Sequence, residues 1–470
     1  MDLDKKSMIV DLQRLIRQPS VSAKNQGLGQ CASLVLDIIH SAGINAELLY
    51  LEDRENEEIN DDSSLNLPVE SSPPIVYGEV KSKSNPNGKT ILFYNHYDVQ
   101  PEDPIELWDH SPFSGKVEGN YIYGRGAADD KGELIARIKA VQYLLQVYDG
   151  DLPCNIKFIV EGEEEIGSPH LQKYLEHYKD KLKADVVIWE DGFVDSNEKA
   201  IVSLGQKGLF CVEINVKGPS KDIHSSNAVL IENPALILSK IVCSLINGKT
   251  GKILIKDWYK EIKEFTPEEK EAIAKETFDE EVFKREVGVK RFINNLTGYD
   301  AKLAHIGLPT CNVSGLSSGY TGPGSKTIIP SKASAKIDFR LVPDMDYLLQ
   351  FERLQNHVKE MGFDIGDDNS QIKLNLLIGE NGYRTPLDNV FVKPVLEAAK
   401  EAFGDSIVSV SAAGTGPMYY FYKIFNVSSI CIGGSDISNK AHSPNECFRI
   451  DRLGKITKCI AKIIEIIFIA

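Results

Sequence analysis

Through the first 200 residues, short β-branched or aromatic runs alternate with stretches of helical period, the pattern of an α/β sheet covered by helices. Thr90-Ile91-Leu92-Phe93-Tyr94, Ile156-Lys157-Phe158-Ile159-Val160 and Val186-Val187-Ile188-Trp189 read as strands, and Val427 to Ile432 as another late in the chain. Between the first two, Leu134, Ile135, Ile138, Val141, Leu144 and Leu145 recur with helical period. That helix would begin just after Asp129-Asp130. From about Gly208 the texture changes: Leu209, Cys211, Glu213 and Asn215 alternate with Phe210, Val212, Ile214 and Val216, as in a half-buried strand. Thr266-Pro267-Glu268-Glu269 carries the signals of a helix start with a capping box, and Ala333 to Val342 reads as a further strand. At Arg384-Thr385-Pro386 the first pattern resumes. The expected organisation is an α/β unit in two parts, 1–207 and 384–470, interrupted by an inserted α+β unit, 208–383.

Each strand of the first kind runs into a polar motif. The first leads to His96-Tyr97-Asp98, the second to Glu163-Glu164-Glu165, the third to Glu190-Asp191, and the last, through Gly433-Gly434, to the loop with Ala441-His442-Ser443. Ligands of open α/β sheets gather outside the carboxyl ends of the strands, so these segments can meet, together with Asp129-Asp130. Singly, each has a plainer explanation: an Asp N-cap, a solvated charge run, a core histidine. The glutamate run argues otherwise, because Gly162 and Gly167 bracket it and suit a tight loop. Two divalent ions about 3.5–4 Å apart require a shared carboxylate, further carboxylates and neutral imidazoles. The motifs supply that set.

Composition narrows the classes further. The 470 residues are 42% hydrophobic, enough for a large core in two or three domains. A formal charge of −15 without a Lys/Arg-rich block argues against nucleic acid. No run approaches the roughly 18–20 apolar residues of a membrane span, and the apolar stretch Ile460 to Ala470, interrupted by Lys462 and Glu465, is expected to be a terminal helix packed on the core. A cytoplasmic location is expected. The eight cysteines, at 31, 154, 211, 243, 311, 431, 447 and 459, form no CxxC pair and are expected to be buried thiols. Glu52 to Ser72 reads as an acidic surface loop.

The stretches Asn95-His96-Tyr97-Asp98-Val99-Gln100-Pro101, Gly124-Arg125-Gly126-Ala127-Ala128-Asp129-Asp130-Lys131-Gly132 and Glu161-Gly162-Glu163-Glu164-Glu165-Ile166-Gly167-Ser168 resemble the di-zinc aminoacylase/carboxypeptidase superfamily of metallopeptidases. The likeness is to the cytosolic non-specific, carnosine-type dipeptidases in particular. Lys221-Asp222-Ile223-His224-Ser225, Arg340-Leu341-Val342-Pro343 and Ala441-His442-Ser443-Pro444-Asn445-Glu446 extend it over nearly the whole chain. The resemblance implies a zinc-exopeptidase-like α/β catalytic domain with an inserted α+β lid and dimerisation domain. It implies that His96 and Asp191 hold one metal, Glu165 and His442 the other, and Asp129 both, with Glu190 the nearest rival to Asp191. Asp98 would orient His96, and Glu164 would act as general base towards a bridging water. His224 would reach the active site of the partner subunit in a homodimer and steady the oxyanion. Arg340 would clamp a substrate carboxylate, its plain alternative being a surface salt bridge. Zinc suits the donors, as manganese or cobalt would.

One departure stands out: where the dipeptidases typically read Glu-Gly-Gly-Ser-Ile-Pro, this chain has Ala412-Ala413-Gly414-Thr415-Gly416-Pro417. Thr415 keeps a hydroxyl at the substrate-binding position. The expected activity is hydrolysis of the amide bond of dipeptides or other small peptides with a free C-terminal carboxylate. An N-acyl-amino-acid or succinyl-diaminopimelate deacylase is the alternative within enzymes, and a non-catalytic metal-binding scaffold the alternative outside them.

Overall fold

The two strand textures build two separate sheets in the computed structural model, which describes residues 4–51, 72–190, 192–276, 278–366 and 370–467. The expected acidic loop lies, but for Ser72, outside the described residues. The larger sheet has eight strands in the order Asn45–Leu49, Ile75–Val80, Asn155–Glu161, Thr90–His96, Val186–Trp189, Ser428–Cys431, Ala200–Ser203 and Ser406–Ser409. Its centre is parallel: Asn155–Glu161, Thr90–His96, Val186–Trp189 and Ser428–Cys431 run the same way, and their carboxyl ends share one edge. Helices cover both faces, which is why the central strands read as unbroken apolar runs.

The helix expected after Asp129-Asp130 is Lys131–Val147, and it is more enclosed than its apolar period alone shows: Lys131 to Val141 is buried all round, sandwiched between the sheet and the helices Lys5–Arg17 and Ile450–Ile467. Its polar side chains therefore need specific partners. Lys131 Nζ donates to Leu15 O and Gln18 O at 2.9 and 3.0 Å, closing the end of Lys5–Arg17, and Arg137 Nη2 donates to Trp189 O at 2.6 Å. The terminal helix packs as expected, burying Ile460, Ile463, Ile464 and Ile467.

The second sheet, in the order Thr310–Ser318, Lys332–Leu341, Gly208–Lys217 and Ile372–Glu380, is fully antiparallel. Phe210, Val212, Ile214 and Val216 face its core with Phe339 and Trp258, and the alternate side chains face outward. Thr266 opens the helix Pro267–Lys275 with the expected capping box. The two connections between the sheets run side by side, Gly205-Gln206 pairing antiparallel with Tyr383-Arg384. Buried Lys207 adjoins them and donates to His305 O and Leu308 O.

Five cysteines are buried as expected and two are half-buried; Cys243, on the exposed side of the helix Pro234–Leu245, corrects the expectation. Among the described residues, no helix is long and apolar enough to cross a membrane.

Candidate metal centre and active site

The shared strand edge carries the motifs. His96 is the last residue of its strand, the glutamate run follows Glu161, and Glu190 follows Trp189. Gly162 is required where it stands, because a Cβ there would lie 2.4 Å from the Tyr97 ring, and Gly167 takes φ 89° to end the short turn Glu164–Ile166.

Asp129 sits between two imidazoles: its Oδ1 lies 3.0 Å from His96 Nε2 and its Oδ2 2.9 Å from His442 Nε2. Beyond His442, Glu165 Oε2 lies at 3.0 Å, and beyond His96, Glu190 Oε2 lies at 3.7 Å. Two three-donor groups result, His96 with Glu164 and Glu190, and Asp129 with Glu165 and His442; within each, the donor atoms lie within 4.8 Å of one another. Asp191 lies outside the described residues, and the carboxylate seen beside His96 is that of its rival, Glu190. Asp130 stands at the N-cap position of the helix Lys131–Val147, but its side chain makes no capping bond. Instead its Oδ2 accepts from Asn95 Nδ2 and from the His96 backbone N–H at 2.6 and 3.1 Å, so the neighbouring carboxylates serve different partners.

A second layer fixes the first. Asp98 lies 3.3 Å from His96 Nδ1, and its two oxygens accept from Glu164 N and Glu165 N at 3.2 and 3.1 Å. Gln100 Nε2 donates to Glu165 at 2.8 Å. Glu163 points away, to buried His170 at 2.8 Å. Glu446, quoted in the motif but given no role, accepts from Gly126 N, Ala128 N, Asp129 N and Arg125 Nη1 at 2.8–3.2 Å. It therefore binds the His442 loop to the Asp129 loop.

The donor set fits divalent cations. Glu190 Oε2 is buried without a hydrogen-bond partner, and each imidazole nitrogen converges with carboxylate oxygens that could share a cation with it. Electrostatics agree. Burial pushes Asp129 up, but hydrogen bonds from His442 and His96 hold it below the usual carboxylate range, while Asp129 and Glu165 push His442 up to about 10. Burial, reinforced by Glu165 and Asp129, pushes the Glu164 carboxyl well up, a trait of proton-transfer groups.

Arg340 and Thr415 are brought together across the two sheets: Arg340 Nη1 donates to Thr415 Oγ1 at 2.6 Å. Among the described residues Arg340 makes no surface salt bridge. His224 is not brought to the centre. It is exposed, on the two-stranded ribbon of Ile223–His224 with Ile328–Ile329, and its contacts are local, Nδ1 lying 2.8 Å from Ser226 Oγ.

Fold and donor set together are those of a metal-dependent hydrolase with a catalytic domain and an inserted domain. The chain belongs to peptidase family M20/M25/M40, whose model matches residues 92–466, and is a hydrolytic metallopeptidase. It is 28% identical over 389 residues to the human Beta-Ala-His dipeptidase, covering 81% of this chain and 74% of that one. It is 29% identical over 398 residues to the Cys-Gly metallodipeptidase dug1 of Schizosaccharomyces pombe, covering 82% and 80%. Among solved structures it is similar to the M20 family metallo-carboxypeptidase Sso-CP2 from Sulfolobus solfataricus, with a TM-score of 0.86 and 37% identity over 100% of both chains.

Proposed function

We infer that the protein hydrolyses the amide bond of dipeptides or other small peptides with a free C-terminal carboxylate, using two divalent ions, zinc in the first instance. The observation that carries this reading is the Asp129 carboxylate held between His96 and His442, with Glu164 beside it. The dipeptidase and carboxypeptidase relatives support it, since both reactions release a residue bearing a free carboxylate.

His96, with Asp191 or Glu190, would hold one ion; Glu165 and His442 the other; Asp129 both. Such ions, when bound, supply Lewis acidity and lower the pKa of water. The chain's own groups do the rest. Glu164 takes a proton from the attacking water on a carboxylate oxygen and returns it to the leaving amine nitrogen. Asp98 orients His96 and holds the backbone of Glu164 and Glu165 in place. Arg340 and Thr415 orient the substrate carboxylate, a task suited to a planar guanidinium. His224 donates to the oxyanion from the partner subunit of a homodimer. The units divide at 207/208 and 383/384, and the protein works in the cytoplasm.

The test is amine release by zinc- or manganese-loaded protein from free-amino dipeptides, longer peptides and N-acyl amino acids, with Glu164→Ala as the blank. Glu164→Ala should keep both metals and lose at least about a hundredfold in kcat. Near-normal turnover by that variant removes Glu164 from its role. Preference for acylated substrates moves the protein to the deacylases, and no turnover above the blank leaves a metal-binding scaffold.

A further inference from the structure

One row of side chains crosses the second sheet at a single register level. Thr310 faces Arg340, Arg340 faces Leu209, and Leu209 faces Glu380 on successive strands. Directly paired residues project from the same side of a sheet, and this side is opposite the stacked Phe210 and Phe339 of the core. It looks towards the first unit, because Arg340 reaches Thr415 there.

Glu380 ends this row. It is 8% exposed, and its Oε1 is buried without a hydrogen-bond partner among the described residues. Arg340, committed to Thr415, forms no ion pair with it. Burial and then the negative charge of Glu161 push the Glu380 carboxyl up to about 8, with Arg340 pulling the other way. Tyr420 of the first unit also lies within its electrostatic reach. A buried acceptor lacking a donor is disfavoured, and Arg340, the one cation among these neighbours, donates to Thr415 and leaves Glu380 Oε1 without a donor. A ligand bearing a cation would supply one.

The order along the row is guanidinium, apolar side chain, carboxyl: Arg340, Leu209, Glu380. Two strand spacings, about 10 Å, separate its ends. An extended lysine or arginine has its α-carboxylate and side-chain cation roughly 7 Å apart by standard bond lengths, and the long Arg340 side chain covers the difference. Its methylenes would lie over Leu209, as such stems do on apolar surface.

We propose that Glu380 forms a subsite for the basic side chain of a substrate's C-terminal lysine or arginine, whose carboxylate is taken by Arg340 and Thr415. The proposal rests on the hydrolase reading above and narrows its substrate class. It is tested with matched peptides ending in Lys, Arg, norleucine or Glu, with free and with acetylated N-termini. The wild type should favour Lys over norleucine in kcat/KM by at least about tenfold, as for a charge-assisted contact. Glu380→Gln should abolish that ratio and leave norleucine turnover essentially unchanged, and Glu380→Lys should turn the preference towards Glu. Equal loss on every substrate overturns the proposal. So does a preference that vanishes on N-acetylation, which would assign the carboxylate to the α-ammonium. Calorimetric binding of free lysine against norleucine to the wild type reports the subsite without turnover: equal affinities also overturn it. If lysine binds selectively and no peptide is cleaved, the hydrolase reading fails and the subsite stands.

Discussion

At Asp129 and Asp130, two identical side chains take different work because the loop presents them to different partners. Asp129 meets the two imidazoles, while Asp130 accepts from Asn95 and the His96 backbone. What steadies this choice is Glu446, 1% exposed, whose carboxylate gathers the N–H groups of Gly126, Ala128 and Asp129 and the Arg125 guanidinium. A neutral amide cannot match those acceptor sites, since one of its two heads is a donor. Glu446→Gln is therefore expected to weaken metal binding by about 10–100-fold, the usual cost of losing a supporting group around a metal site. Metal titration followed by calorimetry reads this directly. The metal-free variant should keep a circular-dichroism spectrum like that of the wild type, and unchanged metal affinity would reduce Glu446 to a structural tie.

At the level of elements, the strands were largely legible, because a buried parallel strand is an unbroken apolar run. Val186–Trp189 is recovered residue for residue, and Thr90–His96 and Asn155–Glu161 extend the expected runs by two residues or fewer at each end. His96, Asp129, Glu164, Glu165 and His442, all taken from the motifs, lie in the two donor groups at the strand edge. What stayed hidden are partners far along the chain. Glu446 meets Ala128 across 318 positions, and Lys131 meets Leu15 across 116; no local period records either. Periodicity also reports one face of a helix, so it could not show that Lys131–Val147 is enclosed on all sides. Lys131 there serves as the C-terminal cap of Lys5–Arg17, with burial pulling its ammonium pKa down. Lys131→Met keeps the stem and removes the donor, leaving Gln18 O without it while Leu15 O keeps only the Gln18 N–H. It should cost about 2–3 kcal/mol, as for hydrogen bonds from a charged group, read as a lower denaturant midpoint at unchanged m value. A loss below about 0.5 kcal/mol, typical of surface changes, would mean that the cap is dispensable.

On the scale of the whole molecule, the problem is His224. It sits on an exposed ribbon of the second unit with only local contacts, whereas the metal-type donors lie at the sheet edge of the first. Close by in sequence, Val229 and Leu230 are 89% and 82% exposed, an apolar pair of the kind that a second copy would cover. The paired connections at Gly205-Gln206 and Tyr383-Arg384 join the units through two adjacent strands. If His224 serves the centre of a partner subunit, each active site is built from two chains, and two inactive variants must complement. Glu164→Ala lacks the base but offers an intact His224, and His224→Ala lacks the donor but offers an intact base. Random exchange makes half of the dimers hybrids, each with one competent site, so the mixture should recover about a quarter of wild-type specific activity in a two-fold symmetric dimer. The readout is amine release after the two proteins have been mixed, dissociated and reassociated, with sedimentation confirming dimers. Activity no higher than the mean of the separate variants, in a dimeric sample, would confine His224 to its own chain.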